Sequence, residues 1–195
     1  MPRIVLASTS PYRRQLLEQL DIPFETHAPG VDEDAFKNQG LEPSELSKLL
    51  AQKKAEALAE LFPDALIIGG DQVAEIDGEC LSKPGTPEKA CQQLKQLSGR
   101  AHRLWSALAV HEPKTGRTEV SLEKHTLTFR PLSDIQIEKY VALDKPLDCA
   151  GSYRIEGRGI ALFSSIEGSD YTAIIGLPLI RLVSLLESFG LTFPL

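Results

Sequence analysis

The chain has little cysteine, an excess of acidic over basic residues, and no long apolar run. Its three cysteines, Cys80, Cys91 and Cys149, are odd in number and widely spaced, with no CxxC pair. Neither a disulfide framework nor a zinc knuckle is readable, and a reduced, cytoplasmic chain is expected. No stretch approaches the ~18 apolar residues of a membrane span, and the apolar run at 4–7 is too short for a signal-peptide core. The net charge of −6 argues against a general nucleic-acid binder, whose affinity comes largely from neutralising phosphates. Any phosphate handled here needs a local basic pocket on an acidic body. Common signatures are missing as well. There is no GxxxxGK[ST], no HExxH and no GxSxG, and Gly157-Arg158-Gly159 lacks the third glycine of a dinucleotide fingerprint.

What is present suits a folded, soluble chain. Its 195 residues, 42% apolar and 25% charged, are enough for one substantial domain without staples. The apolar pattern predicts strands at 4–7 and 24–28, a helix opening at Pro11, and a long helix over 45–61. An apolar run at 66–68 ends in Gly69-Gly70-Asp71. A hairpin is expected at 73–76 and 79–81 around Asp77-Gly78, then a helix capped by Thr86-Pro87 and closed at Ser98-Gly99. A long hairpin over 103–111 and 119–129 turns at 113–116. Ser133-Asp134-Ile135-Gln136 is a capping box, 160–166 reads as a strand, and 178–189 as a closing helix. Interleaved helices, strands and hairpins give an α/β class with a mixed sheet, in a single domain over 1–195.

Several residues carry possible chemistry. Ser8, Ser10, Arg13 and Arg14 stand where a strand gives way to a helix, and free N–H groups, hydroxyls and guanidiniums there make a phosphate cradle. A capped helix with solvated arginines has the same pattern. Lys53 and Lys54 both fall within the apolar stripe of the long helix, and periodicity does not choose between them. Either serves a ligand or snorkels to solvent. Asp71 is expected at the end of a buried strand, after two glycines that let a ligand approach, a frequent catalytic position in α/β sheets. Lys83-Pro84 follows the hairpin, and Glu33 lies in a polar loop.

Together these pieces resemble the Maf family of nucleoside triphosphate pyrophosphatases. The matching segments are Leu6-Ala7-Ser8-Thr9-Ser10-Pro11-Tyr12-Arg13-Arg14, Val31-Asp32-Glu33, Lys54-Ala55, Gly69-Gly70-Asp71-Gln72-Val73, Lys83-Pro84, Leu97-Ser98-Gly99, Ala150-Gly151-Ser152-Tyr153 with Glu156-Gly157, and Ile175-Gly176-Leu177-Pro178, in family order. The resemblance implies a mixed, elongated sheet flanked by helices, and two lobes with a central cleft. It implies hydrolysis of a nucleoside triphosphate to a monophosphate and pyrophosphate with a divalent cation, Mg²⁺ or Mn²⁺. By the same resemblance Lys54 is favoured over Lys53, and Asp71 matches the proton acceptor. Ser8, Arg13, Lys54 and Lys83 match phosphate-facing positions, and Glu33, with Asp71, an acidic position for metal. Ser82 replaces a usual glycine, and Ser106-Ala107 a Thr-Gly pair.

Three positions bear on substrate. Where the dTTP/UTP branch carries Arg, Thr and Gln, this chain has Tyr12, Gln72 and Glu156, which is similar to the branch acting on 7-methyl-GTP, as is Cys149-Ala150-Gly151-Ser152. Elementary chemistry points the same way. N7-methylation makes guanine cationic, and a cationic ring is drawn to an aromatic face and a carboxylate. A carboxylate also accepts two hydrogen bonds from the guanine N1–H and amine edge. The expected partner is a small nucleotide, with neither nucleic acid nor membrane, and a homodimer is allowed. A dTTP/UTP pyrophosphatase or a non-enzymatic nucleotide-binding regulator are the alternatives.

Overall fold

The computed structural model describes residues 2–37 and 39–193. In chain order the elements are β1 (Arg3–Ala7), α1 (Pro11–Glu18), β2 (Glu25–His27), α2 (Asp34–Lys37), α3 (Pro43–Glu56), β3 (Ala65–Ile76), β4 (Glu79–Leu81), α4 (Pro87–Leu97), β5 (Ala101–Glu112), β6 (Arg117–Phe129), α5 (Asp134–Asp144), β7 (Phe163–Glu167), α6 (Tyr171–Ile175) and α7 (Leu179–Ser188). The strands form one seven-stranded sheet in the order β2-β1-β3-β5-β6-β7, with β4 paired to β3. β1 pairs in parallel with β2 and β3, whereas β3–β4 and β6–β7 are antiparallel. The sheet is therefore mixed and flanked by helices, as expected. Among the described residues no helix is long and apolar enough to cross a membrane.

The chain divides into two compact units. The first comprises residues up to Gln72, Ser106–Glu123 and Asp170 onward, and the second Val73–Trp105 and Lys124–Ser169. In the first, alternation along β1 and β3 separates two cores. Ile4, Leu6, Leu66 and Ile68 meet Leu16 and Leu17 of α1 and Leu182 and Leu186 of α7. Val5, Ala7 and Ile67 face the other way, onto Ala51 and Ala55 of α3 with Ala107 and Ala109 of β5. Ala51, Ala55, Ala7, Ala107 and Ala109 give this second core small side chains around α3, which lets the helix lie close on the strands, while Leu58 and Phe62 beyond the helix supply its larger ones. In the second unit α4 buries Ala90, Leu94 and Leu97, and α5 buries Ile137, Tyr140 and Val141. Thr86 caps α4, and the Ser133/Gln136 capping box opens α5.

Four expectations are corrected. The segments 66–68 and 73–76 are one continuous strand, β3, so Asp71 lies within a strand and not at its end. The reason is at Gly69, where a Cβ would stand 2.1 Å from the Ala51 carbonyl oxygen, so glycine marks the close passage of α3 and not a break. The helix read over 45–61 runs Pro43–Glu56 and then turns, leaving Leu61 exposed. Of 160–166, only the part from Phe163 is strand, since Arg158–Leu162 form a 3₁₀ helix. The strand read at 24–28 is reduced to Glu25–His27.

The second unit also holds a buried aromatic cluster of Phe129, Tyr153 and Phe163 around His102, whose Nε2 shares a 2.9 Å hydrogen bond with the Tyr153 hydroxyl. Burial pushes the His102 pKa down to about 4. The folded chain thus holds this imidazole neutral, while the unfolded chain protonates it near 6.5. Stability is complete above that value and falls as pH drops from it toward the folded pKa. Between pH 7 and pH 5 the loss from this group is about 2 kcal/mol. Denaturant unfolding at both values should show a smaller pH-dependent loss for His102→Gln than for the wild type. An equal loss would contradict the assignment.

Candidate active site

The α3 face that packs on the sheet buries Leu46, Leu50, Ala51, Lys54 and Ala55, so a lysine sits in an otherwise apolar stripe. The alternative left open by periodicity is thereby resolved in placement. Lys54 points inward with its side chain 8% exposed, whereas Lys53 turns outward to pair with Glu56 at 2.8 Å. The Lys54 ammonium reaches two carboxylates, Asp71 at 2.6 Å and Glu33 at 2.7 Å. Asp71 is brought there by β3, Glu33 by the loop before α2. With the small residues beneath α3, the helix comes near enough for a side chain leaving it to meet one leaving the strand.

Arg13, in the first turns of α1, completes the charge pattern. Its Nε donates to the Gly176 carbonyl at 2.8 Å, and the guanidinium lies beside Gly70, where a Cβ would meet that nitrogen at an ordinary contact distance of 3.6 Å. Burial lowers the Arg13 pKa, and the fields of Asp71 and Glu33 oppose the shift. Burial also raises the Asp71 pKa. Lys54, by its field and its hydrogen bond, and Arg13 both pull it back. Asp71 is therefore a desolvated carboxylate kept usable by two cations, a setting common to catalytic bases.

Ser8 follows β1, where Ala7 pairs with Gly69, so it leaves the sheet level with Gly70 on the next strand. Its buried hydroxyl accepts from the Ser10 N–H at 3.1 Å, and Ser10 caps α1 by accepting from the Arg13 N–H. Arg14, grouped with Arg13 by sequence, instead faces solvent and pairs with Glu18 at 3.1 Å. Tyr12 is half-buried at the same helix start. Gln72 points to the opposite side of β3 from Asp71. Its amide nitrogen donates to Ser106 Oγ and to the Ala173 and Ile174 carbonyls at 3.1, 2.8 and 3.0 Å. Ser106 itself donates to the Ala173 carbonyl at 2.7 Å, so the Ser106-Ala107 replacement retains a hydroxyl that anchors α6.

Lys83 and Glu156 belong to the second unit. Lys83 lies on the exposed loop between β4 and α4, and Glu156 on a turn where its carboxylate stands 4.0 Å from Arg154 Nε. One residue escaped the sequence reading. Lys37 of α2 lies 3.9 Å from Glu33 and 2.9 Å from Asp34, and the field of Asp71 reaches it. The Glu33-to-Lys37 spacing of one helical turn was the available signal. Among the described residues no three of His, Cys, Asp and Glu gather to hold a metal. Glu33 and Asp71 nonetheless converge on one cationic point, the ammonium of Lys54. A pair of hard oxygen donors suits Mg²⁺ or Mn²⁺ where substrate phosphates and water supply the remaining ligands.

Residues 3–189 match the family description "Maf-like protein". The chain belongs to the Maf family. Its Maf relatives include the 7-methyl-GTP pyrophosphatases of Pseudomonas aeruginosa, 46% identical over 194 residues and the whole of both chains, and of Pseudomonas putida, 47% identical over 98% of each. A protein of the same name from Xanthomonas campestris pv. campestris is 46% identical over the whole of both chains. The match spans the segments that carry Ser8, Arg13, Glu33, Lys54 and Asp71.

The Lys54–Asp71 pair makes a stability signature. Removing one partner of a buried ion pair costs about 3–5 kcal/mol, because the other charge stays buried without compensation. Lys54→Met should lower stability on that scale, and Lys53→Met, at an exposed pair, by under about 1 kcal/mol. Lys54→Met/Asp71→Asn should recover much of the loss without recovering activity. Equal effects at Lys53 and Lys54 in chemical unfolding would contradict the inward placement.

Proposed function

We propose that the chain is a nucleoside triphosphate pyrophosphatase that hydrolyses 7-methyl-GTP to 7-methyl-GMP and diphosphate, clearing a modified nucleotide before it enters RNA. The observation that carries the reading is the buried Asp71 carboxylate, raised in pKa and flanked by Lys54 and Arg13. A proton acceptor and two phosphate-binding cations in one place are what a hydrolytic attack on a phosphoanhydride needs. The names of the full-length relatives support the substrate.

In this reading Asp71 accepts the proton of a water attacking the α-phosphorus in line with the departing diphosphate. Substrate phosphates draw the Lys54 ammonium from its carboxylates, which frees Asp71 to take that proton. Arg13 and Lys54 neutralise the charge that grows in the transition state, with Lys83 serving the outer phosphates and Ser8 orienting one of them. Charge balance supports an added cation. Arg13 and Lys54 are already matched by Glu33 and Asp71, so a triphosphate brings negative charge that these four do not offset. Glu33 and Asp71 would hold Mg²⁺ or Mn²⁺, which when bound polarises the phosphate oxygens and steadies the leaving diphosphate. Tyr12 and Glu156 would read the base, Tyr12 by stacking on the cationic ring and Glu156 through the guanine edge. Gln72, its donors spent on Ser106 and α6, contributes through its carbonyl oxygen and by holding α6. The chain works as one functional domain in the cytoplasm.

The test is release of pyrophosphate from 7-methyl-GTP, GTP, UTP and dTTP with magnesium. Asp71→Asn should lower turnover at least ~10²-fold while nucleotide binding persists, the scale of a lost general base. Tyr12→Ala and Glu156→Gln should depress 7-methyl-GTP hydrolysis more than UTP hydrolysis, Glu156→Gln by roughly 5- to 150-fold. No release from any nucleotide would indicate a binding regulator, and a preference for UTP and dTTP the other branch.

A further inference from the structure

Glu156 sits on a turn that is tightly wound and tied down at both ends. The Arg154 carbonyl accepts from the N–H groups of Gly157 and Gly159 at 3.2 and 3.1 Å, closing the chain around one oxygen. Glycine is required at 159, because a Cβ there would lie 2.2 Å from that oxygen. Helix α5 holds the turn from below. Tyr140 Oη accepts the Arg154 N–H at 2.9 Å, and Asp144 Oδ2 accepts the Arg158 N–H at 2.9 Å. Tyr140 and Asp144 are one helical turn apart on the buried face of α5, 6% and 9% exposed. Their two acceptors grip backbone donors that bracket Glu156 by two residues on either side. Asp144 Oδ1 takes the Arg158 side chain as well, at 2.9 Å. At Gly157 a Cβ would come within 2.9 Å of Asp144 Oδ2, so the turn lies directly on the carboxylate.

We propose that Tyr140 and Asp144 are positioning residues for base selection, which fix the turn at 154–159 so that Glu156 presents its carboxylate to the purine edge. This rests on the reading of Glu156 as the residue that discriminates the base. Neither side chain needs to touch the nucleotide. Each removes a rotational freedom from the backbone that carries Glu156, and a bidentate contact to a flat edge tolerates little misplacement. Burial drives the Tyr140 pKa upward, so its hydroxyl stays neutral and keeps its geometry at every working pH.

The experiment is the ratio of kcat/KM for 7-methyl-GTP to that for UTP, with each variant also made in the Glu156→Gln background. Tyr140→Phe removes one oxygen and keeps the packed ring, and Asp144→Ala removes the second acceptor. Each should lower the ratio about 2- to 12-fold, the scale of one backbone hydrogen bond. Asp144→Asn retains an acceptor for the Arg158 N–H, and Arg158→Ala leaves both backbone bonds, so each should hold the ratio within about twofold. In the Glu156→Gln background, Tyr140→Phe should change the ratio no further. If Glu156→Gln shifts the ratio while Tyr140→Phe and Asp144→Ala do not, or lower both substrates alike, the inference is overturned and the base reading stands. An equal shift with and without Glu156 also overturns it, since the pair would then act by another route. If Glu156→Gln leaves the ratio unchanged, the base reading fails and the inference falls with it.

Discussion

The contact between the Lys54 ammonium and the Asp71 carboxylate makes demands on the chain far from either residue. Neither charge tolerates burial alone, and together they need α3 and β3 unusually close. The small residues on that side of the sheet, Ala7, Ala51, Ala55, Gly69, Ala107 and Ala109, meet the demand. Larger side chains would fill the core as well but hold the helix away, and lysine and aspartate would lose each other. The opposite core is rich in leucine and isoleucine and buries larger side chains than the alanine positions around α3 do. The two faces of one sheet thus divide the work, one for stability and one for approach.

The same contact shapes the chemistry. A carboxylate in an apolar setting takes a proton more readily than in water, and adjacent cations favour its charged form. Arg13 serves both ends. Its Nε is fixed by the Gly176 carbonyl, while its charge acts on Asp71 and Glu33. Gln72 and Ser106 secure the neighbouring α6 from the far side of β3, which ties the strand that carries Asp71 to the segment that anchors Arg13.

Much of this was legible in the sequence, for identifiable reasons. The strand-to-helix step at Ser8–Arg13, the Thr86 cap, the Ser133/Gln136 capping box and the long hairpin are local, and local rules locate them. Lys54 was half legible. Both lysines fit the stripe, and only the packing of α3 on Gly69 separates the inward from the outward one. Asp71 was found, but its setting was misread, because a Gly-Gly pair signals a turn by propensity and a close helix only by tertiary contact. The 3₁₀ segment at Arg158–Leu162 was missed because Ile160-Ala161-Leu162-Phe163 is a short apolar run that reads as a strand, while the turn before it is fixed by α5, distant in sequence. Lys37 was overlooked because a lone lysine in an acidic loop looks like a solvated pair until Glu33 is placed beside Lys54.

The most direct measurement is hydrolysis of 7-methyl-GTP in ¹⁸O-labelled water with magnesium, with mass analysis of both products. Attack on the α-phosphorus, with Asp71 accepting the water proton, places one ¹⁸O in 7-methyl-GMP and none in the diphosphate. Label in the diphosphate, or release of single phosphates in its place, would contradict the account.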